Sequence, residues 1–241
     1  MEATVAPAIV VVIPTYNERE NIRTLIPAVL ALGPCYSVMV VDDNSPDGTG
    51  AVVDELAIAA GGRVSVVHRS SKQGIGPAYL DGFRRALAMT PDLIATMDAD
   101  HSHDPADLVR LVAAAAAADL VLGSRYVEGG QTRGWPVYRR AISRLGGLYA
   151  DAVLGVSVAD LTGGFKVYRR ETLAALDLER IRSDGYVFQI ETTYRAIRQG
   201  FRVVEVPITF VDRVAGKSKL SRRIVAEAIV MVWQLRFGGR G

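Results

Sequence analysis

Short runs of β-branched and aliphatic residues alternate with stretches of helical periodicity through the first half of the chain. That alternation argues for parallel strands joined by crossover helices. Candidate strands are residues 9–13, 38–41, 64–68, 93–97 and 120–122. Between the first two, Ile22, Leu25, Ile26, Val29 and Leu30 recur at helical spacing and suit packing on a sheet. Residues 49–60, 78–88 and 105–118 read as further helices. The expected class is α/β, with a mostly parallel central sheet and helices on both faces. Ligands of such sheets bind at the carboxyl ends of the strands, and each candidate strand here runs into polar residues.

The length, 241 residues, allows one large α/β domain or two small ones. One domain over residues 1–241 is expected, with 1–8 as a tail and 221–241 as a closing helix and tail. A net charge of +2 does not call for a nucleic-acid partner, although basic residues concentrate in the second half. Cys35 is the single cysteine, which excludes an internal disulfide and fits a reducing cytosol. The first apolar run, residues 8–13, is too short for a secretory signal core. A membrane span needs about 20 apolar residues, and the best candidate, residues 224–233, carries Glu227. The expected location is cytoplasmic.

Asp98-Ala99-Asp100 follows the apolar run at residues 93–95 directly. Two acids one residue apart at a strand end project to the same side, because side chains alternate along an extended backbone. Oxygen ligands of this kind suit Mg²⁺ or Mn²⁺ held jointly with substrate phosphates. An acidic turn without ligand is the plainer reading of an isolated pair, but this pair is one of three polar segments in order. Residues 14–18 follow the first strand and 42–49 the second, and Asn17, Asp47 and Thr49 also suit helix caps. The loop at residues 72–78 offers glycines and a helix start able to approach an anion. It fails as a dinucleotide fingerprint because Tyr79 stands where a third glycine or alanine belongs. His101 and His103 have the spacing of a turn as much as of a metal pair.

With Val11-Val12-Ile13-Pro14-Thr15-Tyr16-Asn17-Glu18, Val41-Asp42-Asp43-Asn44-Ser45-Pro46-Asp47-Gly48-Thr49, Met97-Asp98-Ala99-Asp100, Gly123-Ser124-Arg125-Tyr126 and Gly163-Gly164-Phe165-Lys166 in view, the chain resembles the family-2 glycosyltransferases. Within them it is most similar to the dolichol- or polyprenol-phosphate mannose synthases, over residues 10–220. The resemblance implies a single nucleotide-sugar-binding domain of the GT-A type and an inverting reaction. It implies that Pro14, Tyr16, Glu18 and Asp43 contact base and ribose, with Asp42 close by. Asp98 and Asp100 would hold Mg²⁺ or Mn²⁺ against the diphosphate of GDP-mannose, flanked by Ala99. Ser102 stands where relatives place a Gln or Ser near the metal. Residues 211–220 look like a loop that closes over the diphosphate, with Arg213 and Lys219 as its cations. Glu191, in the segment 185–191, matches an acid placed near the sugar.

The second half carries the acceptor expectations. Residues 129–155 read as a flexible loop over 129–136 followed by an amphipathic helix over 137–154, with arginines on one side and Ile142, Leu145 and Leu148 on the other. Such a helix lies at a membrane surface or packs as an ordinary surface helix. The resemblance favours the membrane, because the polyprenyl phosphate acceptor resides there. Arg125 with Arg139 or Arg140 then become the acceptor-phosphate groups, since guanidinium forks match phosphate oxygens bidentately. The tail helix, with Ile224, Val225, Ala228, Ile229, Val232 and Leu235 on one face, has three outlets: closing the core, docking on the bilayer, or meeting a separate membrane subunit or fused membrane domain. A peripheral enzyme on the cytoplasmic face is expected.

The expected reaction is displacement at the anomeric carbon by an oxygen of the lipid phosphate. A phosphate monoester, with a second pKa of about 6, is largely dianionic at neutral pH and needs no strong base. Asp98, Asp100, Arg125 and Glu191 would carry the catalysis, the last by favouring an oxocarbenium-like state. Rival readings are a polyprenyl-phosphate glucosyltransferase or other user of a UDP sugar, a silent nucleotide-sugar-binding module, and a nucleotidyltransferase. The last would want a glycine- and arginine-rich segment that residues 11–18 lack.

Overall fold

The computed structural model describes residues 6–212 and 222–238, the side chains of 222–228 excepted. In chain order the elements are β1 (Ile9–Thr15), α1 (Arg19–Leu30), β2 (Tyr36–Asp42), α2 (Thr49–Ala59), β3 (Val64–His68), α3 (Ile75–Ala88), β4 (Leu93–Thr96), α4 (Asp107–Ala114) and β5 (Leu120–Ser124). There follow β6 (Gln131–Arg133), α5 (Val137–Leu154), β7 (Lys166–Arg169), α6 (Arg170–Ala175), α7 (Gly185–Arg198), β8 (Val203–Pro207), β9 (Thr209–Val211) and α8 (Arg222–Phe237). Seven strands form one sheet in the order β3-β2-β1-β4-β7-β5-β8, and β6 pairs with β9 in a small second sheet. All pairings in the large sheet are parallel except those of β7, which runs antiparallel to both β4 and β5.

The apolar runs are continuous because both faces of the sheet are covered. Ile9, Val11 and Ile13 of β1 pack with Ile22 and Leu25 of α1, Val52 of α2 and Leu111 of α4. Val10 and Val12 point the other way, into a core shared with Tyr79, Phe83, Leu154, Leu173, Phe188 and Val232. The helices α3, α5, α6, α7 and α8 supply that second face. Here α3 presses its backbone onto the sheet: a methyl group added at Gly82 would stand 2.5 Å from Val12 Cγ1.

β1 runs through Pro14 although it lies centrally in the sheet. The ladder to β4 ends at the pair Val12 and Thr96, so Pro14 has a neighbour only in β2 and its missing N–H costs no bond toward β4. Strand order reverses around β1, with β2 on one side and β4 on the other. The carboxyl ends of β1, β2 and β4 therefore open the crevice where ligands of such sheets bind. The chain after β4, expected as a longer helix over residues 105–118, is helical only from Asp107 to Ala114.

Candidate active site at the carboxyl edge of the sheet

β4 ends at Thr96, yet its alternation persists into the turn. Met97 and Ala99 are buried, while Asp98 and Asp100 are only partly covered. The turn is locked from below. Asp98 donates its backbone N–H to Nδ1 of His103 at 3.2 Å, and Ser102 N–H donates to Asp100 Oδ1 at 3.1 Å. Thr96 Oγ1 donates to the Gly164 carbonyl at 2.7 Å and so ties the turn to the start of β7. His103 is buried, stacked 4.7 Å from Phe165, and accepts at Nδ1, so it is the neutral tautomer protonated at Nε2. Burial pulls its pKa down, against the pull of Asp98 and Asp100. His101 takes a left-handed conformation, φ 58°, with Nε2 2.9 Å from Thr24 Oγ1. Both histidines shape the turn.

The Ser102 hydroxyl is buried and has no hydrogen-bond partner among the described residues. An orphaned buried oxygen beside two carboxylates is the donor set a hard divalent cation takes. No three His, Cys, Asp or Glu side chains gather as a metal cluster among the described residues, so the remaining positions would fall to ligand oxygens or water. Under Asp98 lies Tyr79, fully buried. Burial first, and the Asp98 charge second, hold its phenol well above the ordinary range. Sequence reasoning noted Tyr79 only as the residue that spoils a glycine motif.

At the ends of β1 and β2 the acids are tied down by the loops themselves. Asp42 accepts from Thr15 Oγ1 at 2.9 Å, from Ser45 Oγ at 2.5 Å and from Ser45 N–H at 3.0 Å. Its carboxylate, expected near the nucleotide, is spent on joining the two loops. Asp43 pairs with Arg69 and accepts the Gln73 N–H at 3.3 Å. Tyr16 lies at the surface with Lys72 Nζ 3.4 Å above its ring, and Pro14 is half-buried beside it. Glu18 starts α1, and its Oε2 accepts from Asn21 Nδ2 at 2.6 Å. Asp47, at the start of α2, accepts from Thr49 N–H at 2.9 Å. The loop at residues 72–78 is not open to an external anion as expected. Asp184 Oδ1 takes the Gly76 N–H at 2.7 Å and also the Gly185 N–H at 2.7 Å, so one internal carboxylate serves the starts of α3 and α7. Gly74, at φ 113°, leaves room for it: a methyl group there would stand 2.1 Å from Asp184 Oδ2.

On the far side of His103 the cations gather. Arg125, just past β5, is buried and grips Asp160 with Nε and Nη2, each at 2.6 Å, while Nη2 also reaches Thr162 Oγ1 at 2.7 Å. Burial opposes its charge, but Asp160 holds its pKa above the ordinary value and Arg125 stays a cation. Trp135 and Phe210 have ring centroids 5.4 Å from its guanidinium. Trp135 also carries Arg139 at 4.2 Å, and Arg139 Nη1 donates to Asp212 Oδ1 at 2.9 Å. Arg140, one residue on, faces outward and is exposed. Of the two arginines expected in this role, Arg139 joins Arg125 around Trp135. Asp160 went unnoticed in the sequence because nothing local marks a partner 35 residues away.

Glu191 is a correction. It is buried on α7, accepts from Ser183 Oγ at 2.5 Å and from Arg195 Nε at 2.7 Å, and so clamps the loop before α7. Residues two apart on a helix point about 200° away from each other, and the residue turned toward Asp98 is Gln189. Lys166, fully buried, fixes this end of α7. Its Nζ donates to the Gln189 carbonyl at 2.7 Å, to Thr193 Oγ1 at 2.9 Å and to Thr192 Oγ1 at 3.1 Å. Burial lowers its pKa to about 7, with Asp160 opposing.

The amphipathic helix is present as α5, over the expected residues 137–154. Val137, Tyr138, Ile142, Leu145 and Leu148 are exposed on it. α8 packs beside α5, with Val232 in the core and Arg236 Nη1 on the Leu154 carbonyl at 2.7 Å, while Ile229, Val230, Trp233 and Phe237 are exposed. Among the described residues no helix is long and apolar enough to cross a membrane. Arg213 and Lys219 lie outside the described residues.

Four likenesses bear on this arrangement. The model of glycosyl transferase family 2 matches residues 10–176. A polyprenol monophosphomannose synthase of Mycolicibacterium smegmatis is 49% identical over 241 residues, spanning 99% of this chain and 91% of its own. An undecaprenyl-phosphate mannosyltransferase of Micrococcus luteus is 48% identical over 224 residues, 93% of this chain and 92% of its own. Among solved structures, a mannosyltransferase from Pyrobaculum calidifontis in complex with GDP-Man and Mn²⁺ superposes with a TM-score of 0.64. That structure is 19% identical, over 99% of this chain and 66% of the other, and the likeness is one of fold.

Proposed function

The chain belongs to glycosyl transferase family 2, and we propose that it transfers mannose from GDP-mannose to a polyprenyl monophosphate with inversion, giving a polyprenyl β-mannosyl phosphate. The observation that carries this reading is the pairing of opposite charges across His103. Asp98, Asp100 and the orphaned Ser102 hydroxyl stand on one side; Arg125 and Arg139 stand around Trp135 on the other. Support also comes from the two relatives of nearly half identity, both named for transfer of mannose to polyprenyl phosphates.

Asp98 and Asp100, with Ser102, would hold Mg²⁺ or Mn²⁺, which when bound neutralises charge on the departing diphosphate. Pro14, Tyr16, Glu18 and Asp43 line the edge that takes base and ribose, and Arg213 and Lys219 belong to the diphosphate. Arg125 cannot swing freely, because Asp160 fixes its fork; it offers a cation oriented before the acceptor arrives. Arg139 is the adjustable partner, able to exchange Asp212 for a phosphate oxygen. The nucleophile, a phosphate dianion, needs orientation rather than deprotonation. No carboxylate of α7 is required, which agrees with Glu191 being spent elsewhere.

The exposed apolar side chains of α5 and α8 suit contact with the bilayer that holds the acceptor. The protein works as a peripheral enzyme on the cytoplasmic face, alone or beside a membrane subunit or fused membrane domain. The test is transfer of labelled sugar from GDP-mannose to polyprenyl phosphate in detergent with Mg²⁺ or Mn²⁺, beside UDP-glucose and a chelated control. Metal-dependent label in the lipid from GDP-mannose is expected. Label only from UDP-glucose replaces the sugar, and no label from either overturns the reading.

A further inference from the structure

We infer that the side-chain amide of Gln189 reads a hydroxyl of the donor sugar. The inference rests on the reading that this site takes a nucleotide sugar, and it names the group that recognises the sugar itself. Gln189 sits in the second turn of α7 and is 5% exposed. Its Oε1 is shielded from solvent and finds no hydrogen-bond partner among the described residues. A buried acceptor left unmet costs about 1–3 kcal/mol, and a ligand hydroxyl that donates to it would recover that cost.

The direction of the side chain says where that ligand sits. A methyl group added at Gly164 would stand 3.4 Å from Gln189 Nε2 and 3.5 Å from Asp98 Oδ1. The amide nitrogen and the carboxylate therefore flank the same glycine, where no side chain stands between them. The amide is aimed rather than loose. Lys166 Nζ holds the Gln189 carbonyl at 2.7 Å, and the Asp184 carboxylate caps α7 one turn earlier. A neutral amide, with both donor and acceptor, matches a sugar hydroxyl, which is also both. Phosphate would call for cations, and the described cation nearest Gln189, Lys166, directs its bonds to the Gln189 carbonyl and the Thr192 and Thr193 hydroxyls. Glu191, two residues on, points to Ser183 and Arg195, whereas Gln189 faces the side of Asp98.

The test is calorimetric binding of GDP, GDP-mannose and the four monodeoxy analogues of GDP-mannose, with Mn²⁺ present, to the wild-type protein, Gln189→Met and Gln189→Ala. Met keeps the volume without the amide, and an unchanged Kd for GDP certifies a folded site. In the wild type one deoxy analogue should bind about 10-fold more weakly than GDP-mannose, the size of one neutral hydrogen bond. In Gln189→Met that penalty should fall to within about 2-fold while the penalties at other positions stay. The same pattern of penalties in wild type and variants overturns the inference. Transfer to lipid separates the two readings: penalties that depend on Gln189 without lipid transfer would overturn the proposed acceptor and leave this assignment standing. Transfer with penalties that ignore Gln189 would do the reverse. If only UDP sugars bind, the same comparison on deoxy UDP-glucoses decides it.

Discussion

The two sides of His103 are built by different means. On the acidic side, each carboxylate leaves a short loop at the end of a parallel strand, and the loops bond to one another through Asp42, Ser45, Thr15 and Thr49. On the basic side, Arg125 depends on one distant partner, and Arg139 rides on a helix that exposes Ile142, Leu145 and Leu148. The first arrangement is preorganised for a ligand that arrives from water. The second holds one fixed cation, Arg125 on Asp160, and one that can exchange its partner, Arg139 on Asp212, beside exposed apolar side chains; under the proposed function it would take a ligand both apolar and anionic. A water-soluble donor and a lipid acceptor would ask for such a division.

The sharpest way to break the comparison is to remove the acidic side. Asp98→Ala or Asp100→Ala should each lower turnover by about 10³-fold, with thermal unfolding close to wild type because both groups are partly solvated. Calorimetry with Mn²⁺ and GDP should show the metal-dependent part of binding gone. Wild-type turnover in either variant would refute the metal assignment.

A smaller effect is expected at the adjustable cation. Arg139→Ala should cost about 10²-fold in kcat/KM for the polyprenyl phosphate, with the KM for the donor unchanged. Arg125 cannot be probed so simply. Its removal leaves Asp160 buried and unpaired, for about 3–5 kcal/mol of stability. Urea unfolding of Arg125→Met beside the double variant Arg125→Met, Asp160→Leu should show most of that loss recovered in the double variant. If the single variant is as stable as wild type, the clamp does not hold this side together.

Third in size is the exposed face of α5. Leu145→Asp with Leu148→Asp should lower activity about 10-fold on polyprenyl phosphate in anionic vesicles, and by less than about 2-fold on a short water-soluble acceptor. Equal losses on both acceptors would make α5 an ordinary surface helix.

Much of this contrast was readable before any coordinates. The carboxyl-edge acids were found because the strand period carries through Met97 and Ala99, so an extended-chain argument held even though β4 ends at Thr96. The bounds of α5 agree with the sequence expectation because Pro136 opens it and Gly155, at φ 68°, ends it. What escaped notice has one cause: long-range pairing leaves no local signature. β7 enters the sheet antiparallel between β4 and β5, and Asp160 and Asp184 reach the site from segments with no motif of their own, while Gln189 lies in the segment 185–191, where the resemblance pointed to Glu191. Glu191 was expected at the sugar because sequence gives no phase for a helix it has not located. Once α7 is set by its Asp184 cap, Gln189 and Glu191 must face opposite ways.

The smallest effect on turnover concerns the lysine at the boundary of the two sides. Lys166 is buried without a carboxylate in contact among the described residues, and two tendencies compete over its proton. Burial lowers its pKa to about 7, while three acceptors at 2.7–3.1 Å match the three protons of an ammonium group. If burial wins, the unfolded chain holds a proton that the folded chain lacks between pH about 7 and the ordinary lysine value of about 10.5. The stability of the wild type should then rise with pH across that window, and the cost of burying the charge should be fully present below it. Lys166→Met should flatten the rise while changing kcat at neutral pH by less than about 3-fold, since Lys166 bonds to the backbone and hydroxyls of α7. Urea midpoints of both proteins from pH 6 to 10 decide between the tendencies. Parallel profiles would mean that the three acceptors keep the ammonium charged throughout, and that α7 is fixed at this end by a buried cation with hydroxyl and carbonyl partners alone.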